Sequence, residues 1–151
     1  MKKVLIALIS IVTLVSCSPK IYPVKSCNVI SEQNGTLTLR STGYGKQKVD
    51  ALNMAEANAL EALLFRGIPG TQYNSPLVEI DEVSAKEKNP EYFKNILNTA
   101  RSKSFITSSI PVSDYSWTKY KVWTISSDVT INVVTLRKDL EQHGIVRKFG
   151  F

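Results

Sequence analysis

"STGYGKQKVDALNMAEANAL", residues 41–60, joins the end of an alternating segment to two glycines, a lysine and an alanine-rich helical pattern. Glycine spacing decides how this joint is read. A phosphate-cradling P-loop needs four residues between its glycines and then Lys-Ser/Thr, so that successive amides wrap the phosphates. Here only Tyr44 separates Gly43 from Gly45, and Gln47 follows Lys46. A dinucleotide fingerprint needs a third glycine three positions after the second, but Lys48 stands there. A helix N-terminus does attract anions, which leaves room for adventitious phosphate only. The stretch is therefore expected to be a structural turn from strand to helix. Gly43 and Gly45 would supply positive φ or a bulge.

The helix is expected over residues 46–66. Val49, Leu52, Ala55, Ala59 and Leu63 form a stripe at helical spacing, with Asp50, Asn53 and Glu61 opposite. Alanine in the middle of the stripe lets a helix axis come close to a sheet, so this is the main helix lying across it. Gly67 stops it. Upstream, Asn34-Gly35 separates two β-prone runs and marks a hairpin, since both residues tolerate positive φ. Leu37 and Leu39 then face one way, and Thr36, Thr38 and Arg40 the other.

Downstream, "GIPGTQYNSP" is a loop and "LVEIDEV", residues 77–83, is expected to be a short strand. Asn89 and Pro90 read as the N-cap and first residue of a second helix, with Tyr92, Phe93, Ile96, Leu97 and Ala100 on its apolar face. In "KYKVWTISSDVTINVV", residues 119–134, Trp123, Ile125, Val129, Ile131 and Val133 share one parity. Thr124, Ser126, Asp128, Thr130 and Asn132 share the other, as in a long strand with one wet face. Its partner is expected in "KSFITSSIPVSDY", joined through a turn at residues 116–119. Thr135 would cap a last helix, "LRKDLEQH", closed by Gly144. The order β-β-α-β-α-β-β-α implies an α+β fold, an antiparallel sheet with helices packed on one face. The 151 residues suit one domain, placed at residues 28–151.

The start of the chain reads differently. Met1-Lys2-Lys3 is positive, and "VLIALISIVTLV", residues 4–15, is apolar apart from Ser10 and Thr13. Such a run suits a signal-peptide core and is short for a membrane span of about 20 residues. "LVSC", ending at Cys17, resembles the lipobox of bacterial lipoproteins. That resemblance implies a leader over residues 1–16, acylation of Cys17 and a lipidated tether over residues 17–27. The alternative is an ordinary secretory signal, with a Cys17–Cys27 disulfide. Ser18 rather than Asp after the cysteine is similar to lipoproteins sent to the outer membrane. Without Lys2 and Lys3 the formal charge falls from +6 to +4, and the basic residues are scattered. A nucleic-acid partner would call for a basic stripe and is not expected.

The opening stretch, extended to "STGYGKQKVDALNMAEANALEALL", resembles the signature of the small outer-membrane "lipoprotein twenty" family. The related N-terminal module of flagellar assembly protein T shares it. Gly43, Gly45, Lys46, Ala51, Ala55 and Ala59 match that pattern, and "VWTISSDVTI" with "LRKDLEQHGI" resembles the family's last strand and helix. The resemblance implies a periplasm-facing envelope lipoprotein that binds protein partners and has no known catalytic residues.

The chemistry-bearing residues give little else. Glu79 and Asp81 share one face if residues 77–83 are a strand, too few oxygens for calcium. A single histidine, His143, and one cysteine beyond Cys17 exclude an ordinary Cys/His zinc site. No metal and no cofactor is expected. His143 beside Gly144 suits a helix C-terminus, and no G-x-S-x-G motif occurs. Tyr115, Trp117, Tyr120 and Trp123 lie close together. Trp123 has core parity, which leaves Tyr115, Trp117 and Tyr120 as candidate binding residues. The expected function is a non-enzymatic protein-binding or envelope-assembly module. A peptidoglycan-binding module and a small hydrolase are the alternatives.

Overall fold

The computed structural model describes residues 26–98 and 100–148. The leader, Cys17 and most of the tether lie outside them. The fold is α+β. Strands β1 (Cys27–Gln33) and β2 (Thr36–Gly45) lead into helix α1 (Lys48–Phe65). Helices α2 (Glu82–Lys88) and α3 (Pro90–Asn98) and a 3-10 turn (Ala100–Ser104) follow. Strands β3 (Ile106–Pro111), β4 (Ser116–Trp117) and β5 (Trp123–Asn132) then precede helix α4 (Val133–Gln142). The sheet is antiparallel, ordered β1-β2-β5-β3, with β4 pairing the other end of β5.

The hairpin turn is where the sequence places it. Asn34 has φ 47° and Gly35 φ 77°, the left-handed pair a two-residue hairpin needs. Period-two alternation then sorts the two central strands. Leu37, Leu39, Ile125, Val129 and Ile131 are buried on the helix side. On the open side the facing residues bond across the strands. Thr38 meets Thr130 at 3.0 Å and Thr42 meets Ser126 at 3.0 Å.

Between these hydroxyl pairs, Arg40 Nε and Nη2 donate to Asp128 Oδ1 and Oδ2 at 2.8 and 2.9 Å. The Arg40 hydrogen bond holds the Asp128 carboxyl below its ordinary value of 3.8. The unfolded chain therefore takes up this proton first as the pH falls. The pair's contribution is present above pH 3.8 and fades as pH drops through the lower folded value. Exposure of Arg40 keeps the contribution small. Asp128→Asn is expected to melt slightly below the parent chain at neutral pH, with the gap closing on acidification. Melting curves between about pH 7 and pH 2 check this; a gap of constant size would refute it.

Several expectations need correction. Gly43 and Gly45 are not in a turn: both lie in β2, paired with Ile125 and Trp123. Neither has positive φ. Their role is close approach. A Cβ on Gly43 would fall 2.0 Å from the Ala51 carbonyl oxygen and 2.3 Å from the Ala55 nitrogen. One on Gly45 would fall 2.5 Å from the Ala51 nitrogen. Helix α1 thus rests almost backbone-to-backbone on the end of β2, beneath Ala51 and Ala55. The Asn58 amide adds a 2.9 Å hydrogen bond to the Thr42 carbonyl.

The buried face of α1 also differs. Val49 is 55% exposed, while Ala51, Ala55, Ala59, Leu60, Ala62, Leu63 and Leu64 are buried, together with Glu56 and Asn58. Burial extends round much of the helix, so a single stripe does not describe it. Residues 77–83 form no strand. The Leu77 and Val78 amides donate to the Leu63 and Leu64 carbonyls at 3.2 and 2.9 Å, using acceptors that the last turn of α1 leaves unpaired. The Asp81 carboxylate then caps α2 by accepting from the Ser84 amide at 3.0 Å.

At the far end, Asn132 rather than Thr135 caps α4. Its side chain accepts from the Thr135 amide at 2.9 Å, which starts the helix at Val133. The turn before β5 spans residues 118–122, with Lys121 at φ 57°, so Ser116 and Trp117 belong to a strand. Gly67 and Gly144 do follow their helices with φ 70° and 66°, and α3 does begin at Pro90.

Candidate binding surface

The short β4–β5 hairpin gathers the aromatic residues singled out in the sequence. Its Trp117 pairs directly with Trp123, and the two indoles meet edge to face with centroids 5.3 Å apart. This geometry suits the ring quadrupoles. Lys48, the first residue of α1, closes the arrangement. Its Nζ lies 4.9 Å from the Trp123 ring centroid and 5.4 Å from that of Tyr115, a cation held between two π faces. Because Gly45 pairs with Trp123, the end of β2 brings the start of α1 to the hairpin.

The three candidates therefore divide. Tyr115 is half-buried under Lys48 and helps to fix the hairpin. Trp117 is 55% exposed and Tyr120 is 42% exposed. Tyr120 lies within the 118–122 turn, with Lys119 Nζ 5.3 Å from its ring. The result is an indole and a phenol presented outward on a stiffened support. That arrangement can bind by apolar burial and stacking.

The other candidates do not come together. Glu79 and Asp81 are exposed, and Asp81 is occupied as a helix cap. Among the described residues no group of three or more His, Cys, Asp or Glu side chains is arranged to hold a metal. Cys27 opens β1 opposite Ser41 and is half-buried. Burial pushes its thiol up to about 11, against an opposing pull from Arg66, so it is a thiol rather than a thiolate at neutral pH. Cys17 lies outside the described residues.

A second polar cluster surrounds His143, and no motif in the sequence announces it. Asp139 of α4 accepts from the Tyr92 hydroxyl at 2.8 Å and from Arg101 at 2.9 Å. Burial, then the Asp139 hydrogen bond, drives the Tyr92 hydroxyl far above its ordinary range, so it stays a donor. His143 Nδ1 lies 2.8 Å from the Asp139 carbonyl oxygen, and its ring stands 4.9 Å from that of Tyr92. Both Asp139 carboxylate oxygens have donors within the fold. The cluster ties α4 to α3 and the 3-10 turn.

No helix among the described residues is long and apolar enough to cross a membrane. Compared with protein-family models, with curated proteins and with solved structures, the chain has no match in any of the three.

Proposed function

We propose that this chain is an outer-membrane lipoprotein, held by acyl chains on Cys17, with its domain facing the periplasm. In this reading the domain is non-enzymatic and docks an envelope protein through the hairpin. The observation that carries the docking role is the exposure of Trp117 and Tyr120 together on one braced hairpin. Aromatic residues of this kind anchor interfaces, and each good anchor is worth about 2 kcal/mol or more. The lipobox-like "LVSC" supports the anchor, and the resemblance carried by Gly43, Gly45 and the alanines supports the assembly role. The lack of a nucleophile-elbow motif and the single histidine support a non-enzymatic role.

A photo-crosslinking residue at Tyr120 in intact cells is expected to give a discrete adduct with one envelope protein. Adding Trp117→Ala should reduce that adduct at least about tenfold, with the melting temperature checked in parallel. An undiminished adduct in a folded Trp117→Ala chain would sink the docking surface. Purified sacculi provide the contrast. Retention of the chain on sacculi that depends on Trp117 would transfer the surface to peptidoglycan instead.

A further inference from the structure

We infer that the hairpin end of the domain lies against the membrane, with the Lys46, Lys119 and Lys121 ammonium groups on the phosphates of anionic lipids. This orientation rests on acylation of Cys17. The point where the chain enters the fold sets which end faces the lipid. Strand β1 runs from Cys27 toward the Asn34-Gly35 turn, so the chain arrives at the opposite end of the sheet. Ser26 stands there, its Oγ 3.3 Å from Thr42 Oγ1. Three residues further along β2, Gly45 pairs with Trp123, which pairs with Trp117. That is about 10 Å of strand. Ser26 comes nine residues after Cys17, at most about 32 Å of extended chain. A lipid on Cys17 therefore draws the hairpin end toward the bilayer. Helix α4 starts at the far end of the sheet, where Thr36 pairs with Asn132.

The charge at the hairpin end is basic. Lys46 follows Gly45 directly, and Lys119 and Lys121 flank Tyr120 in the 118–122 turn; all three are exposed. Lys48 lies over the Tyr115 and Trp123 rings beside them. Against these four lysines stand Asp50 and Asp114, and Asp50 Oδ2 already accepts from the Gln47 amide. The excess is two positive charges, four less two. An anionic lipid surface attracts each exposed lysine and favours contact by about fivefold per residue. Trp117 and Tyr120 suit the same depth, since indole and phenol rings sit at headgroup level. A protein that docks on them is met at that level.

The test adds the acylated chain to preformed vesicles of phosphatidylcholine with about one-third phosphatidylglycerol, and to vesicles of phosphatidylcholine alone. A membrane-impermeant acetylating reagent labels exposed amines, and peptide mass spectrometry reads the rate at each lysine. Lys46, Lys119 and Lys121 are expected to acetylate at least about threefold more slowly on the anionic vesicles. Sodium chloride at about 0.5 M should remove the difference by screening. Lys138, exposed on α4, should react equally on both lipids. Equal rates at the three hairpin-end lysines, equal protection of Lys138, or protection that survives salt would overturn the orientation. Unprotected lysines would leave the hairpin charge to an acidic protein partner instead. Intact mass keeps the anchor and the orientation apart. A chain without acyl groups on Cys17 removes the anchor and the orientation with it. An acylated chain with unprotected lysines removes the orientation alone.

Discussion

Gly43→Val is expected to destabilise the chain by about 3 kcal/mol or more, enough to unfold a large part of the population at physiological temperature. The atoms that a side chain at 43 would meet are backbone: the Ala51 carbonyl oxygen at 2.0 Å and the Ala55 nitrogen at 2.3 Å. No rotamer change relieves such contacts. Helix α1 would have to lift from the sheet, which opens the burial of Ala51, Ala55 and Ala59 and stretches the Asn58–Thr42 hydrogen bond. Gly70 gives the internal control. It has φ 83° and nothing within 4 Å of an added Cβ. Gly70→Ala should therefore show only the conformational strain of a left-handed residue, about 1 kcal/mol. Urea unfolding of the two variants checks the contrast. A Gly43→Val chain as stable as Gly70→Ala would mean that α1 does not sit on β2 as described.

This result bears on what the Gly-Tyr-Gly-Lys stretch is for. In a phosphate loop, glycines let backbone approach a ligand. Here the same property lets one backbone approach another. The two halves of that explanation were both visible in the sequence, the glycines in the strand and the alanines in the helix. Small residues on facing surfaces imply a short distance between them. What the sequence hides is the pairing of the two sets, because Gly-Tyr-Gly has the composition of a turn and only the register with β5 makes it the end of β2.

The rest of the fold was legible where local chemistry and global packing agree. Asn34-Gly35, the alternation of β5 and the Pro90 helix start are set by a few adjacent residues, and each stands where local reasoning puts it. Legibility failed where a distant partner decides. The apolar residues of "LVEIDEV" give it strand character by itself. Its Leu77 and Val78 amides are claimed by carbonyls of α1, and Asp81 finds a helix to cap. Glu56 and Asn58 look like solvent-facing helix residues until Lys103 and the Thr42 carbonyl supply their partners. Among the candidate binding residues, Tyr115, Trp117 and Tyr120 were legible as a group because they are neighbours in the chain. Their division into a half-buried brace and an exposed pair was not, since it depends on Lys48 of α1.

The second large effect concerns Cys17, and it separates the anchor from the surface. Cys17→Ala is expected to abolish palmitate labelling and to move the protein out of the outer-membrane fraction. Each acyl chain contributes about 0.8 kcal/mol per buried methylene, so a sixteen-carbon chain holds on by roughly 12 kcal/mol, and two or more make release negligible. What remains in the variant is the apolar run of residues 4–15, shorter than the roughly 20 residues a spanning helix needs. Labelling that persists in Cys17→Ala, or continued fractionation with the outer membrane, would remove the lipoprotein reading. In the proposed reading the anchor would also raise the local concentration of the hairpin near a partner in the same envelope. Cys17→Ala should therefore weaken the adduct formed from position 120 in cells while leaving the purified domain's melting temperature unchanged. Trp117→Ala should do the reverse at the membrane: it loses the adduct and keeps both acylation and fractionation. An adduct lost in both variants, with acylation lost in only one, would assign tethering to Cys17 and recognition to the indole of Trp117.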